Sequence, residues 1–473
     1  MTTGHEVTSP IDGSTIATIE LHDESSLDAV VARAVAAADR WRRTPPRERA
    51  ALLFAVARRI REELDDIAVL ETRNCGKLLA DTRREVERAA RCFEYYGGYA
   101  DKVTGTVVPV GDGFHTYTTR EPYGVVAGIV PWNAPFVFAA KKIAPALAFG
   151  NVSILKPALE TPLTAMRLGE LLDDCGAPPG VAQVVCGGPD VGRGLVADPR
   201  VDLVVFTGSD GAGRHVGATA AERLVPSALE LGGKSPQLVF ADADLDAAAA
   251  GVVEGFAGSC GQMCIAGSRL FVERSVHDEF VDRLVARVAA LRVGDPRLAS
   301  SQVGPQATAA QAAKTREYVA DAKRSGRVLA ETPLEVPDDL TAGNWVAPVA
   351  FADLPLDHRA VRDEIFGPVL SVAAFDDADE ALALAHDTEF GLAAGLWTGD
   401  IGRAHRLASD LRVGTVWVNT YRILDDMVPF GGVGQSGYGR ENGTEAPALY
   451  TWAKSVWVSV EPGVPQPYRK DPS

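Results

Sequence analysis

Apolar residues recur at helical spacing early in the chain. Leu27, Val30, Val31, Ala34, Val35, Ala38 and Trp41 share one face, after Ser25 and Ser26, which can cap. Pro45 and Pro46 end that helix, and 49–70 and 81–96 read as two more amphipathic helices. The pattern then turns β-rich. Segments 104–110 and 115–120, separated by Gly-Asp-Gly, predict a hairpin. From Gly124 short apolar strands alternate with helical patterns. The strands are GVVAGIV, VSILK, AQVVC and DLVVFTG, and 136–148, 162–175 and 190–197 are the helices between them. Such alternation predicts a parallel, Rossmann-like sheet. A second α/β unit runs from about 232 to 429, with RLFVE, PVLSVAAF and GTVWVN as strands and 276–291 and 377–386 as helices.

A length of 473 residues predicts two or three domains. Hydrophobic content of 46% with 23% charged residues fits a soluble globular enzyme. The net charge of −16 argues against nucleic acid and anionic membranes as partners. No apolar run reaches the roughly 18 residues that span a bilayer. The N-terminus carries no apolar signal region, so a cytoplasmic location is expected. The 6 cysteines form no CxxC pair and no Cys/His metal spacing, so no metal is expected and a reducing compartment fits.

Three stretches carry candidate chemistry. FAGSCGQMCIAGSR sets Cys264 in a glycine-rich segment. LELGGKSP places Glu230 before two glycines, and VPWNAPF places Asn133 after Trp132. Thiol, carboxylate and amide are the nucleophile, base and oxyanion donor of acyl chemistry. For a cofactor, FTGSDGAG closes a strand and opens a helix. Gly208, Ser209 and Gly213 can therefore offer backbone N–H groups to a pyrophosphate. GVGQSG at 432–437 satisfies G-x-G-x-x-G formally but lacks the strand before it and the helix after it.

With PWNAPF, LKPALETP, FTGSDGAG, LELGGKSP, GQMCIAGSR, DEIFGPV, GTVWVN and PFGGVGQSGYGRE in order, the chain resembles the aldehyde dehydrogenase superfamily along nearly its whole length. The resemblance implies a Rossmann-like cofactor domain (1–103 and 123–231), a catalytic α/β domain (232–444) and a β oligomerisation arm (104–122 and 445–473). In the arm, the hairpin pairs with the alternating tail 449–460. It implies NAD(P)-dependent oxidation of an aldehyde to an acid through a cysteine thioester, by a homodimer or homotetramer. Catalytic roles fall on Cys264, Glu230, Asn133 and Lys142. Cofactor contacts fall on Trp132, Lys156, Gly208, Ser209, Gly213, Leu231, Glu364 and Phe366. The family commonly has a ribose-binding Glu three residues after the Lys. Here that position is Leu159, and Glu160 follows, so NAD is favoured modestly and NADP stays open. Gly434 stands where the family often has a lysine.

Residues placed near the aldehyde are Ala134, Phe138, Lys141, Met263, Ile265, Arg422, Leu424 and Phe430. Lys141 and Arg422 would put two cations at the tunnel mouth, suiting an aldehyde with a polar or anionic far end. The alternative is that both face solvent or pair with Asp425 and Asp426. A CoA-acylating enzyme is disfavoured by Glu230, a thiol hydrolase by the lack of a well-placed His, and a structural protein by the Cys–Glu–Asn set.

Overall fold

A computed structural model describes residues 4–460. Its first helix, Glu24–Arg43, is capped by Asp23, with Ser26 closing a capping box, not by the Ser25–Ser26 pair as expected. A carboxylate accepts the orphan N–H groups, so the cap sits two residues earlier. The expected 49–70 helix is two helices, Pro46–Glu62 and Leu64–Cys75, parted at Glu63 where φ is −106° and ψ is 15°. Leu79–Tyr99 packs across Pro46–Glu62 and against Pro135–Ala148.

The first sheet has six strands in the order 437–438, 227–230, 203–207, 125–129, 152–156 and 182–184. All run parallel except Gly437–Tyr438. Through that short strand the chain returns from the second sheet to the edge of the first. The second sheet has seven strands in the order 327–331, 349–352, 369–375, 269–273, 236–239, 393–397 and 415–418, with only Arg327–Glu331 antiparallel. Helices cover both sheets, so strands such as Leu203–Thr207 are buried throughout.

Segment 104–110 forms no strand. Only Val107 bridges Tyr117, while the Val108 N–H donates to the Thr116 carbonyl and the Thr118 N–H to the Thr106 carbonyl. Pro109 has no N–H to offer a ladder. Phe114–Pro122 instead pairs along its length with Thr451–Ser459, and this ribbon leaves Trp452, Trp457 and Val458 exposed. The part of the expected arm beyond 460 lies outside the described residues. No helix among the described residues is long and apolar enough to cross a membrane.

Candidate active site

A cavity of about 170 Å³ opens where the strands Val125–Ile129, Leu203–Thr207 and Ser227–Glu230 end. Open α/β sheets bind ligands at that edge. Its wall brings together Asn133, Glu230 and Cys264, three residues far apart in sequence.

Cys264 follows a kinked turn in which Ser259 and Cys260 hold φ of 53° and 55°. Left-handed backbone at non-glycine residues is strained and concentrates at functional sites. The segment is pinned on both sides. Gln262 donates through Nε2 to the Ser259 carbonyl and accepts from the Ala307 N–H, and Tyr421 donates to the Ile265 carbonyl. Asn133 donates its amide to the Gln262 carbonyl at 2.8 Å, which fixes that amide beside the thiol. Burial, then Glu364 and Glu230, push the Cys264 thiol up to about 12, while Lys141 pulls it down. Cys260 is buried in a different apolar cluster, with Ile11, Val293 and Trp345.

Glu230 ends its strand. Its own carbonyl accepts from the Gly208 N–H, and Ser436 ties the neighbouring Leu231 and Gly232 backbone. Gly232 and Gly233 must be glycine: a Cβ would lie 2.4 Å from Glu364 Oε2 on one and 2.5 Å from the Cys264 carbonyl on the other. Both carboxylate oxygens of Glu230 are buried without a hydrogen-bond partner. Burial first, and Glu441 second, raise its pKa to about 8. Lys142 is fully buried and ion-paired to Glu441, and burial lowers its pKa. Burial alone would raise Glu441, but Lys142 and Lys141 outweigh it and hold that carboxyl down.

The cofactor candidates lie along the same edge. Ser209 caps the helix Asp210–Glu222, accepting from the Ala212 N–H. Gly213 packs so tightly on Leu231 that a Cβ would meet its Cδ2 at 2.3 Å. Glu364 accepts from the Gly233 N–H and is raised to about 7, chiefly by burial. Phe366, held at φ 59°, meets Trp132 edge-on at 5.2 Å. Thr207 Oγ1, also on the wall, is buried without a partner. An orphaned hydroxyl, a capped helix N-terminus and a glycine cradle fit a dinucleotide. Lys156 borders Gly192 on the helix Pro189–Ala197 and feels the exposed Glu160. Leu159 packs on the cluster of Val7, Ile19 and Cys186.

Among the aldehyde-side residues, Phe138 lines the cavity. Phe430, Ile265, Met263 and Leu424 share an apolar cluster with Cys264. Ala134 is buried just before the helix Pro135–Ala148. The two expected mouth cations are otherwise engaged. Arg422 donates to the Glu254 carboxylate and carbonyl, and sits 2.8 Å from Met263 Sδ. Lys141 is buried and lies 3.6 Å from Glu441. Lys141 is buried and Arg422 is only partly exposed, and neither pairs with Asp425 or Asp426; Arg88 is the partner of Asp426. Glu254 lies on the helix Leu245–Ala257, and sequence spacing carries no sign of that contact.

Glu441 lies in the PFGGVGQSGYGRE stretch, and nothing in the sequence marks it as the partner of Lys142. Gln311 and Lys314, from the helix Ala309–Ser325, also line the cavity and carried no signal in sequence.

The profile of the aldehyde dehydrogenase family matches residues 2–456. Betaine aldehyde dehydrogenase 2 of Rhizobium meliloti (strain 1021) is 42% identical over 466 residues, covering 97% of this chain and 95% of that protein. PnpE from Pseudomonas sp. WBC-3 superposes with a TM-score of 0.96 at 40% identity, covering 99% of this chain and 96% of that one. The NAD+ complex of aldehyde dehydrogenase from Bacillus cereus gives 0.94 at 36% identity, covering 97% and 94%. The chain belongs to the aldehyde dehydrogenase family.

Proposed function

We propose that the protein oxidises an aldehyde to a carboxylic acid with NAD, through a thioester on Cys264 that is hydrolysed by water activated by Glu230. The observation that carries this reading is the shared cavity wall of Cys264, Asn133 and Glu230, with the Glu230 carboxylate free of any other hydrogen bond.

The Cys264 thiolate, its proton released to solvent, attacks the aldehyde carbon. The resulting oxyanion is met by the Asn133 amide and by a backbone N–H near Cys264. Bound NAD+ supplies the hydride acceptor. Loss of hydride from the carbon leaves an acyl group on Sγ. Glu230 then takes a proton from water as the water attacks, and the Cys264 thiolate leaves as the acid forms. Burial makes the ionised Glu230 a stronger base than an ordinary carboxylate, since its pKa is raised to about 8. Lys142 holds Glu441 in place behind it.

The capped helix at Ser209, the Gly213–Leu231 contact and the Trp132–Phe366 pair support the dinucleotide position. Glu364 suits a ribose hydroxyl. Lys156 with Glu160 supports NAD over NADP, since a carboxylate repels a 2′-phosphate. No histidine lines the cavity, which speaks against a thiol hydrolase. The exposed aromatics on the 114–122 and 451–459 ribbon support a homodimer or homotetramer. We place the protein in the cytoplasm, where a free thiol stays reduced.

The test is NADH absorbance with a panel of aldehydes. NADH is expected with the parent and is expected to vanish in Cys264→Ser, while the variant still binds NAD. Full activity in Cys264→Ser would overturn the assignment.

A further inference from the structure

Lys141 lies one turn beyond Phe138, which lines the cavity with Trp132 and Phe366, on the helix Pro135–Ala148. Its Nζ is 5.7 Å from the Phe138 ring centroid and 5.1 Å from that of Phe430. Phe430 in turn shares the apolar cluster of Met263, Cys264 and Leu424. The ammonium therefore sits between the two aromatic faces that flank the thiol. Its charge reaches the reacting groups, since it pulls down both Cys264 and Glu230.

The charge around it does not cancel. Glu441 is the ion-pair partner of Lys141 among the described residues, and Lys142 already occupies that carboxylate. Asp426, the other buried carboxylate nearby, pairs with Arg88. At these ion pairs three cations, Lys141, Lys142 and Arg88, thus meet two carboxylates, Glu441 and Asp426. A cationic ligand end needs an open aromatic face or a spare carboxylate. Here both faces are turned to an internal ammonium.

We propose that Lys141 selects substrates by charge: it fills the cation-binding aromatic faces from within, so the protein takes aldehydes with a neutral or anionic end and rejects those ending in a quaternary ammonium. This rests on the aldehyde dehydrogenase reading and deepens it. It sets the chain apart from relatives named for betaine aldehyde, despite 42% identity.

The test uses the full-length protein with NAD and two aldehydes of one shape. Betaine aldehyde carries a trimethylammonium group, and tert-butylacetaldehyde has carbon in place of that nitrogen. The parent is expected to prefer the neutral isostere by about 100-fold in kcat/KM, because like charges in a desolvated site cost several kcal/mol. Lys141→Met is expected to narrow that preference by about 10-fold or more, and Lys141→Arg to retain it. Comparing parent with variant cancels the different hydration of the two aldehydes. Equal or better use of betaine aldehyde by the parent would overturn the inference, and that result needs no variant. An unchanged ratio in Lys141→Met would overturn it as well. Oxidation of propanal but of neither isostere would also do so, because bulk and not charge would then select. If propanal too gives no NADH, the dehydrogenase reading fails and this inference falls with it.

Discussion

The Asn133 amide donates to the backbone carbonyl of Gln262, two residues before Cys264, at 2.8 Å. One hydrogen bond thus locks the distance between a side chain of the first sheet's edge and the nucleophile segment of the second unit. A preorganised donor pays no reorganisation when charge develops on the substrate oxygen.

From this follows the behaviour of Asn133→Ala. Its kcat is expected to fall by about 100- to 1,000-fold, as for loss of one oxyanion donor. NAD affinity, measured by quenching of protein fluorescence, should change little. A loss of less than a few-fold in kcat would remove Asn133 from the oxyanion role.

The burial of Glu230 has a thermodynamic cost. Its pKa rises from 4.5 to about 8 on folding, so the fold favours the protonated carboxyl. The associated stability is fully present below 4.5 and is lost as pH rises through about 8. Glu230→Gln removes the ionisable group. The variant is therefore expected to be more stable than the parent near neutral pH, by on the order of 2–4 kcal/mol. Thermal melts of both proteins across that pH range measure this, and the gap should grow with pH. A constant gap would contradict a raised Glu230.

Glu441 tunes the same group. Its negative charge raises Glu230, so Glu441→Gln should shift the acidic limb of the kcat profile to lower pH. The change also leaves buried Lys142 without its partner, so a lower melting temperature should accompany the shift. A limb moving to higher pH would show that the two carboxyls do not interact as the geometry implies.

In the proposed function Glu160 carries the cofactor choice, since Leu159 packs on Val7 and Ile19 and offers no charge. Glu160→Gln removes the repulsion toward a 2′-phosphate. The NAD over NADP ratio of kcat/KM is expected to fall by about 10-fold. An unchanged ratio would place the discrimination elsewhere.

Much of this was legible in the residues. Alternation of apolar strands with 3.6-period helices marked the parallel sheet around Val125–Ile129 and Leu203–Thr207, because strands buried on both faces read as continuous apolar runs. The four-residue strands Ser227–Glu230 and Pro236–Val239 were too short to show a period, although they carry Glu230 and flank the two glycines. The break at Glu63 was hidden because the apolar stripe continues through it. Contacts between distant elements left no trace in the sequence. Arg422 reads as a free cation until Glu254 is seen to hold it, and Lys141 reads as a mouth residue until Phe138 and Phe430 are seen to enclose it.

The central claim is that Glu230 serves the hydrolysis of an acyl group on Cys264. Rapid mixing of Glu230→Gln with NAD and a neutral aldehyde, followed at the NADH absorbance band, tests it directly. The account predicts a burst of about one NADH per active site, since acylation precedes the step that needs the base. Turnover after the burst should be slower than the parent's by about 100-fold or more. A variant with no burst, or with parental turnover after it, would contradict the claim.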